Sequence, residues 1–318
     1  MVCSFPYGIY YLEHISVWTS ENNWYKWWYG SESMFGRQTG NLPFNTSYDC
    51  GFNGSIGSFK EEMLTAARST IDHYSGLKPC VYFSGGLDSE LVLRSYLDIG
   101  ADPIVNIFRF EDHINEYDVS YAMVICETLG VKYNIIDFNV KKFFENDAES
   151  ISDIAQIDRP RGLPQLQFLD YTEGFAVLGI GDPRWTRSVK DNTPWILLDQ
   201  EHDTGWDKYI LHRGMPAIAQ WFKWTPELVL AYTETQWFKD LVLNNKWSGR
   251  EGVTSTKLIG YREAYPDLLE RTKKTGMEPI DSLINEFEEF LKKKYNGLPY
   301  RQVVPRTIDE LRKEILND

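Results

Sequence analysis

Val81-Tyr82-Phe83-Ser84-Gly85-Gly86-Leu87-Asp88-Ser89 is an apolar run that empties into a Ser-Gly-Gly-x-Asp-Ser turn, and the stretch Glu90 to Leu97 that follows has helical character. The order strand, glycine turn, helix builds a cradle for an anion. Gly85 and Gly86 lack a Cβ and let the backbone approach closely, Ser84 and Ser89 add hydroxyls, and the helix presents its positive N-terminal end. Asp88 beside a polyphosphate would be repelled unless a cation came with it, so Mg²⁺ bridging Asp88 and phosphate oxygens is the economical reading. The string is not the G-x-x-x-x-G-K-[ST] loop that serves γ-phosphate transfer, and no such string occurs in the chain.

Outward from this loop the pattern alternates. It predicts strand Cys80 to Phe83, helix Leu91 to Leu97, strand Ile104 to Phe110, helix Asp118 to Leu129 and strand Lys132 to Phe138. A further buried strand, Phe175 to Leu178, runs into Gly179-Ile180-Gly181-Asp182-Pro183, and a helix over Phe59 to Tyr74 leads into the first strand. Such alternation means an α/β fold, a parallel sheet with helices on both faces. Ligands of such sheets bind outside the carboxyl ends of the strands, so the loops at Ser84, Arg109 and Gly179 should converge, with Phe108 beside them. After about residue 205 the chain reads as helical, through Pro216 to Trp224, Pro226 to Asn244, Thr256 to Ala264, Pro266 to Thr272 and Asp281 to Lys293. Residues 1 to 58 are rich in aromatics and read as an accessory layer of short strands and turns. The expected organisation is therefore 1–58 accessory, 59–205 α/β core and 206–318 a mostly helical C-terminal part that completes the site.

Composition bounds the partners. The chain has 318 residues, 42% of them hydrophobic and 25% charged, enough to bury a large core. Lys and Arg number 33 against 46 Asp and Glu, a net charge of −13, which argues against a surface that neutralises nucleic-acid phosphates. Arg159-Pro160-Arg161 and Lys292-Lys293-Lys294 read as solvated faces, with a local basic strip as the alternative, and the acidic run Asp199 to Asp203 as a solvated loop, with a place near an amine substrate as the alternative. Cys3, Cys50, Cys80 and Cys126 never form C-x-x-C, so a zinc knuckle is not expected, and reduced thiols fit a cytoplasmic setting. His14, His73, His113, His202 and His212 show no metal-ligand spacing. No stretch approaches about 18 apolar residues, so neither a membrane span nor a leader is suggested.

Ser84 to Ser89 resembles the pyrophosphate loop of the N-type ATP pyrophosphatases, which cleave ATP between its α and β phosphates and transfer AMP to a carboxylate or carbonyl oxygen. Asn115-Glu116-Tyr117-Asp118 ahead of a helix is similar to the asparagine-synthetase-type branch; Asn115 or Asp118 serves there either as helix cap or as ligand contact. Leu178-Gly179-Ile180-Gly181-Asp182 resembles that branch's second signature, whose acid helps to hold Mg²⁺, so Asp182 pairs with Asp88 as a metal ligand. The branch has two acids after its glycines, whereas Pro183, Arg184 and Trp185 follow a single Asp here. Lys257 to Arg262, Pro266 and Arg271-Thr272-Lys273 resemble its C-terminal signature, with Lys257 the first lysine and Lys273 the lysine that contacts phosphate and the reacting centre.

The resemblance implies the pyrophosphatase variant of the α/β fold and an AMP-forming carbon–nitrogen ligase. ATP would lie on Ser84, Gly85, Gly86, Ser89, Phe108, Gly179 and Gly181 with Mg²⁺ on Asp88 and Asp182, while Lys257, Lys273 and Asp182 serve catalysis. Its partners would be a small carboxylate and ammonia or another amine. Residues 1 to 58 are too few for a glutaminase, and Cys3 does not directly follow Met1, which leaves free ammonia or a separate glutaminase chain as the nitrogen source. A homodimer stays open, as do two other readings, a nucleobase or tRNA modifier and an ATP-binding regulator without turnover.

Overall fold

The computed structural model describes residues 10–12, 15–19, 24–29, 44–50, 55–157, 159–244, 252–271, 276–295 and 302–316. Four strands come first, β1 (Tyr10–Leu12), β2 (Ile15–Thr19), β3 (Tyr25–Tyr29) and β4 (Phe44–Tyr48), paired antiparallel in that order. Then follow α1 (Phe59–His73), β5 (Pro79–Tyr82), α2 (Leu87–Asp98), β6 (Ile104–Phe110), α3 (Glu116–Leu129) and β7 (Asn134–Phe138). Three short helices, α4 (Val140–Asn146), α5 (Ala148–Ala155) and α6 (Leu163–Phe168), lead back to β8 (Phe175–Val177). Beyond it lie β9 (Arg184–Arg187), β10 (Pro194–Gln200), α7 (Thr204–Arg213), β11 (Ala217–Ile218), α8 (Pro226–Glu234), α9 (Gln236–Asn244) and α10 (Gly252–Tyr261). The last elements are α11 (Asp281–Lys294), β12 (Val303–Arg306) and α12 (Ile308–Leu316).

The central sheet has the order β11-β8-β5-β6-β7, every pair parallel. Strand alternation separates two cores. Val81, Val105, Ile107 and Val177 point to the layer that holds α1, α2 and α3, while Cys80, Tyr82, Phe108 and Ala176 point to the layer of α4 to α7. The expected α/β sheet covered on both faces is what forms. From β5 the chain runs outward through β6 and β7, then crosses back to β8 on the other side of β5. That reversal makes β5 and β8 a topological switch point, and the crevice beyond their carboxyl ends is where such sheets bind ligands.

Two predicted helices are replaced. Over 216–224 the short run Ala217-Ile218 pairs with β8, and only a single 3₁₀ turn, Trp221–Lys223, follows. An edge position on a parallel sheet outweighs a weak helical period in so short an apolar segment. Over 266–271 the chain is turns, because the Arg262 guanidinium donates twice to the Leu268 carbonyl (3.0 and 2.8 Å) while Leu268 is buried.

The acidic run 199–203 is buried, against the expectation of a solvated loop. Asp199 is fully buried on β10 and accepts hydrogen bonds from Thr46 Oγ1 (2.9 Å), Tyr48 Oη (2.7 Å) and the guanidinium of Arg306. Arg306 also pairs with Glu314 at 2.7 Å. Strands β4, β10 and β12 and helix α12 thus meet on one charge cluster that the local pattern could not show, because Arg306 reaches Asp199 and Thr46 across 107 and 260 residues. No described helix is long and apolar enough to cross a membrane.

Candidate active site

The loop after β5 is shaped by packing as well as by any ligand. Gly85 sits at φ +70°, and a Cβ there would stand 2.8 Å from the Asp118 carbonyl oxygen and 3.0 Å from the Ala122 nitrogen. Gly86 forms the N-cap of α2 with no side-chain cap hydrogen bond, so the amides of the helix's first turn face the crevice. The Ser84 and Ser89 hydroxyls lie 3.2 Å apart, and Ser89 Oγ donates to the Gly86 carbonyl at 3.0 Å. By contrast α1 is closed by a full capping box between Ser58 and Glu61.

Residues 178–183 fold back onto this loop. A Cβ on Gly179 would lie 3.0 Å from both the nitrogen and the Cα of Ser89. Those neighbours are backbone and cannot yield. Gly179→Ala is therefore expected to push the start of α2 out of place and to lower nucleotide-dependent turnover by up to about 100-fold, the scale of a ~1 Å misplacement. Titration calorimetry with a non-hydrolysable ATP analogue, beside thermal unfolding, checks it; unchanged affinity and rate would contradict the packing argument.

Lys257 on α10 closes the arrangement. Its Nζ is 2.9 and 3.1 Å from the two carboxylate oxygens of Asp88 and 2.8 Å from Asp182 Oδ2, while Tyr261 Oη donates to Asp88 Oδ1 at 2.6 Å. Burial disfavours the ammonium, but Asp182 and Asp88 more than offset it and hold the lysine well above its ordinary range. The Tyr261 phenol is pushed up by burial and then by Asp88. Two carboxylates that both reach one cation at under 3 Å have the spacing and the hard oxygen donors that suit Mg²⁺. Among the described residues no three His, Cys, Asp or Glu side chains cluster as a metal site, so a metal here would draw its other ligands from phosphate and water.

Ser84, Gly86, Asp88, Ser89, Phe108, Gly179, Gly181, Asp182 and Lys257 all line one cleft of about 820 Å³, a volume suited to a nucleotide with a second substrate. Gly85 lies beneath it against α3. Lys273 falls outside the described residues, but Arg271 just before it forms a buried ion pair with Glu90 of α2 at 2.6 Å. Glu90 also pairs with Arg94, and Arg94 with Asp267. The arginine of the C-terminal signature thus anchors the loop helix.

The end of β6 reaches the cleft through Phe108, Phe110 and Asn115, as expected, and two other readings need correction. Arg109 turns away from the cleft and pairs with Asp137 (2.7 and 3.0 Å), because alternation on β6 sends Phe108 and Phe110 to the cleft side and the residue between them to the other. Phe108 itself stacks on Phe168, ring centroids 3.7 Å apart, so one of its faces is covered. Asn115 occupies the N-cap position of α3 without a side-chain cap bond; its amide instead bridges the Phe110 nitrogen (2.7 Å) and the Phe108 carbonyl (2.8 Å). Arg159 and Arg161 line the cleft rather than a solvated face, with Arg159 Nη1 2.8 Å from His202 Nε2.

His202 and Asp203, from the acidic run first read as a solvated loop with a place near an amine substrate as the alternative, line the cleft. His202 Nε2 is also 2.9 Å from Asp203 Oδ1, and one nitrogen cannot accept from Arg159 and donate to Asp203 at once. Burial opposes the Asp203 carboxylate, yet His202, Lys223 and Arg184 bring it down to about 2. One turn on, burial raises Asp207 to about 6, against a hydrogen bond from Gln220 (2.8 Å). A carboxyl raised by folding contributes stability that is full below its unfolded value near 4 and is lost as pH rises through about 6. Asp207→Asn is thus expected to add up to about 3 kcal/mol at pH 8 and little at pH 4, at 1.36 kcal/mol per unit. Urea midpoints across that range check this, and a gap that fails to widen with pH would refute it.

No family model matches the sequence, and no curated protein does. Among solved structures the chain is similar to an NMN synthetase from Francisella tularensis (13% identity, 70% of this chain and 100% of that one, TM-score 0.31). It is also similar to an NH3-dependent NAD synthetase from Campylobacter jejuni (12%, 68% and 97%, TM-score 0.30). A third is a glutamine-dependent NAD+ synthetase from Acinetobacter baumannii in complex with ADP (12%, 87% and 54%, TM-score 0.32). At TM-scores of 0.30 to 0.32 these likenesses carry no argument, and the chemistry rests on the cleft itself.

Proposed function

We propose that the chain is an ATP-dependent ligase that forms AMP and pyrophosphate, activating a carboxylate as its adenylate and joining it to ammonia or another amine. The observation that carries this reading is the meeting of three features at the switch point of the parallel sheet. These are a hydroxyl-bearing glycine loop on an uncapped helix start, two carboxylates from different loops, and the Lys257 ammonium between them. In the first half-reaction a carboxylate oxygen attacks the α-phosphorus, the bond from that phosphorus to the β-bridging oxygen breaks, and pyrophosphate leaves with the electron pair. The attacking acid is already ionised, so positioning and electrostatics supply the catalysis.

Ser84, Ser89 and the first amides of α2 bind the departing phosphates, and Lys257 adds positive charge where negative charge accumulates. Asp88 and Asp182 would hold Mg²⁺, which when bound neutralises the polyphosphate. In the second half the amine nitrogen attacks the acyl carbon, AMP leaves with its oxygen, and the nitrogen loses a proton. The finer reading is an asparagine-synthetase-like site, supported by the chain order Asp88, Asp182, Lys257, with Lys273 as a further cation. Ammonia would arrive free or from a separate glutaminase chain. The buried thiols of Cys50, Cys80 and Cys126, pushed up to about 12, 11 and 12 by burial, suit a reducing compartment.

The test is pyrophosphate release from Mg-ATP against a panel of carboxylic acids, with Ser84→Ala and Asp88→Asn as controls. Release that depends on one acid and is lost in both variants is the expected result. ATP binding without release under every condition would overturn the ligase reading and favour a regulator.

A further inference from the structure

Joining an amine to an acyl adenylate releases a proton, and the cleft has to supply its acceptor. An amine is an ammonium ion near neutral pH and becomes a nucleophile only when a proton leaves it. The arginines of the cleft cannot accept one. Lys257 is held charged between Asp182 and Asp88, which are paired with it in turn. Glu288 pairs with Lys292 at 3.3 Å, and Asp118 sits at the start of α3 against Gly85. His202 is the one imidazole that lines the cleft among the described residues. Its neighbour Asp203 faces the reacting end. Burial opposes the charge of Arg184, and Asp182, Asp203 and Asp88 outweigh it, so the three carboxylates converge on one guanidinium.

The two contacts of His202 Nε2 define two states of the ring. A carboxylate only accepts, so when Nε2 meets Asp203 Oδ1 at 2.9 Å the proton is on Nε2 and Nδ1 keeps its lone pair. A guanidinium only donates, so when Nε2 accepts from Arg159 the proton is on Nδ1. Among the described residues Nδ1 has no hydrogen-bond partner of its own. Although burial opposes the Asp203 carboxylate, His202, Lys223 and Arg184 keep it at about 2, so it stays an acceptor and is itself too weak a base for an amine. A buried, ionised carboxylate on one ring nitrogen is the arrangement that turns the other nitrogen into a base.

We propose that His202 is the base of the amide-forming half-reaction, with Asp203 as the positioning residue that holds Nε2–H and leaves Nδ1 to take the proton. This rests on the ligase reading and names the proton acceptor that its second half requires. The amine nitrogen bonds to the acyl carbon, its proton passes to Nδ1, the bond from that carbon to the AMP oxygen breaks, and AMP leaves with the electron pair. The imidazolium returns its proton to water when the products depart. Arg159 opposes this state, since a ring that accepts from it carries its proton on Nδ1 and cannot take another.

The experiment follows single-turnover amide formation by the full chain, using an acid that supports pyrophosphate release and either ammonia or hydroxylamine as nucleophile. Wild type, His202→Ala, His202→Gln and Asp203→Asn are compared, and thermal unfolding verifies their folds. With ammonia the two His202 variants are expected to lose about 100-fold or more, and with hydroxylamine, which is uncharged near neutral pH, about tenfold or less. Added imidazole should raise the His202→Ala rate at least about tenfold, whereas pyrazole, of the same shape but a far weaker base, should not. Histidine-selective ¹⁵N NMR above neutral pH, with Mg²⁺ and α,β-methylene ATP, reads the ring directly. The His202 signals, assigned by their loss in His202→Gln, should show the proton on Nε2, and Asp203→Asn should move it to Nδ1. The inference is overturned if either His202 variant stays within about threefold of wild type with ammonia, if pyrazole rescues as well as imidazole, or if the wild-type ring carries its proton on Nδ1. Absence of pyrophosphate release with every acid overturns the ligase reading and this inference with it, whereas release with no loss of amide in the variants overturns the inference alone.

Discussion

Lys257→Met is expected to cut acid-dependent pyrophosphate release by about 10²- to 10³-fold, the usual loss when a preorganised charge at a reacting oxyanion is removed. Its ammonium holds Asp88 and Asp182 together at 2.9 and 2.8 Å, and both acids are mostly shielded from solvent, with side chains 17% and 7% exposed. Methionine keeps the length and the apolar stem and deletes only the charge. What remains is a pair of carboxylates that would depend on Mg²⁺ alone to offset their repulsion for each other and for the polyphosphate. Because Tyr261 still donates to Asp88, the local fold keeps one of its ties. Initial-rate measurements of pyrophosphate release, with circular dichroism to verify folding, check this. A variant that keeps more than about a tenth of the rate would place Lys257 outside the chemistry.

Arg306→Met carries the largest expected effect on stability, about 3–5 kcal/mol, because it strands a fully buried carboxylate. Asp199 is 0% exposed, and with Arg306 gone its side chain keeps, among the described residues, the hydroxyls of Thr46 and Tyr48. The loss should loosen strand β4 and helix α12 together, since Arg306 also reaches Thr46 and Glu314. Chemical denaturation measures the difference. The double variant Asp199→Asn with Arg306→Met should recover part of it, as neutral partners remove the buried charge. A single variant within about 1 kcal/mol of wild type would contradict the account, since that is the scale of an exposed pair.

The sheet and its loop were legible because their signals are local. The apolar run before Ser84 and the glycine turn sit next to each other in the chain, so β5, the turn and α2 follow from neighbouring residues. Gly179 and Asp182 were legible for the same reason, as a glycine turn at a strand's end. What sequence could not give is contact at a distance. The burial of Asp199 depends on Arg306, and that of Glu90 on Arg271, and no periodicity links such pairs. His202, Asp203 and Arg159 looked like surface charge because their type favours solvent, yet the fold of β10 and α7 turns them into a cleft wall. Which side chains of β6 face the cleft was not legible, since a one-residue parity that only the pairing of strands decides puts Phe108 there and Arg109 outside. An acidic sequence can still build a cleft rich in arginine, because net charge describes the whole surface and not one concavity.

The most direct test of the central claim follows the oxygen. An acid that stimulates pyrophosphate release would be labelled with ¹⁸O in its carboxylate and incubated with Mg-ATP, ammonia and the enzyme, and the nucleotide product analysed by mass spectrometry. Attack of the carboxylate on the α-phosphorus predicts AMP carrying one labelled oxygen, with unlabelled pyrophosphate. Labelled inorganic phosphate with ADP, or AMP without label, would contradict it.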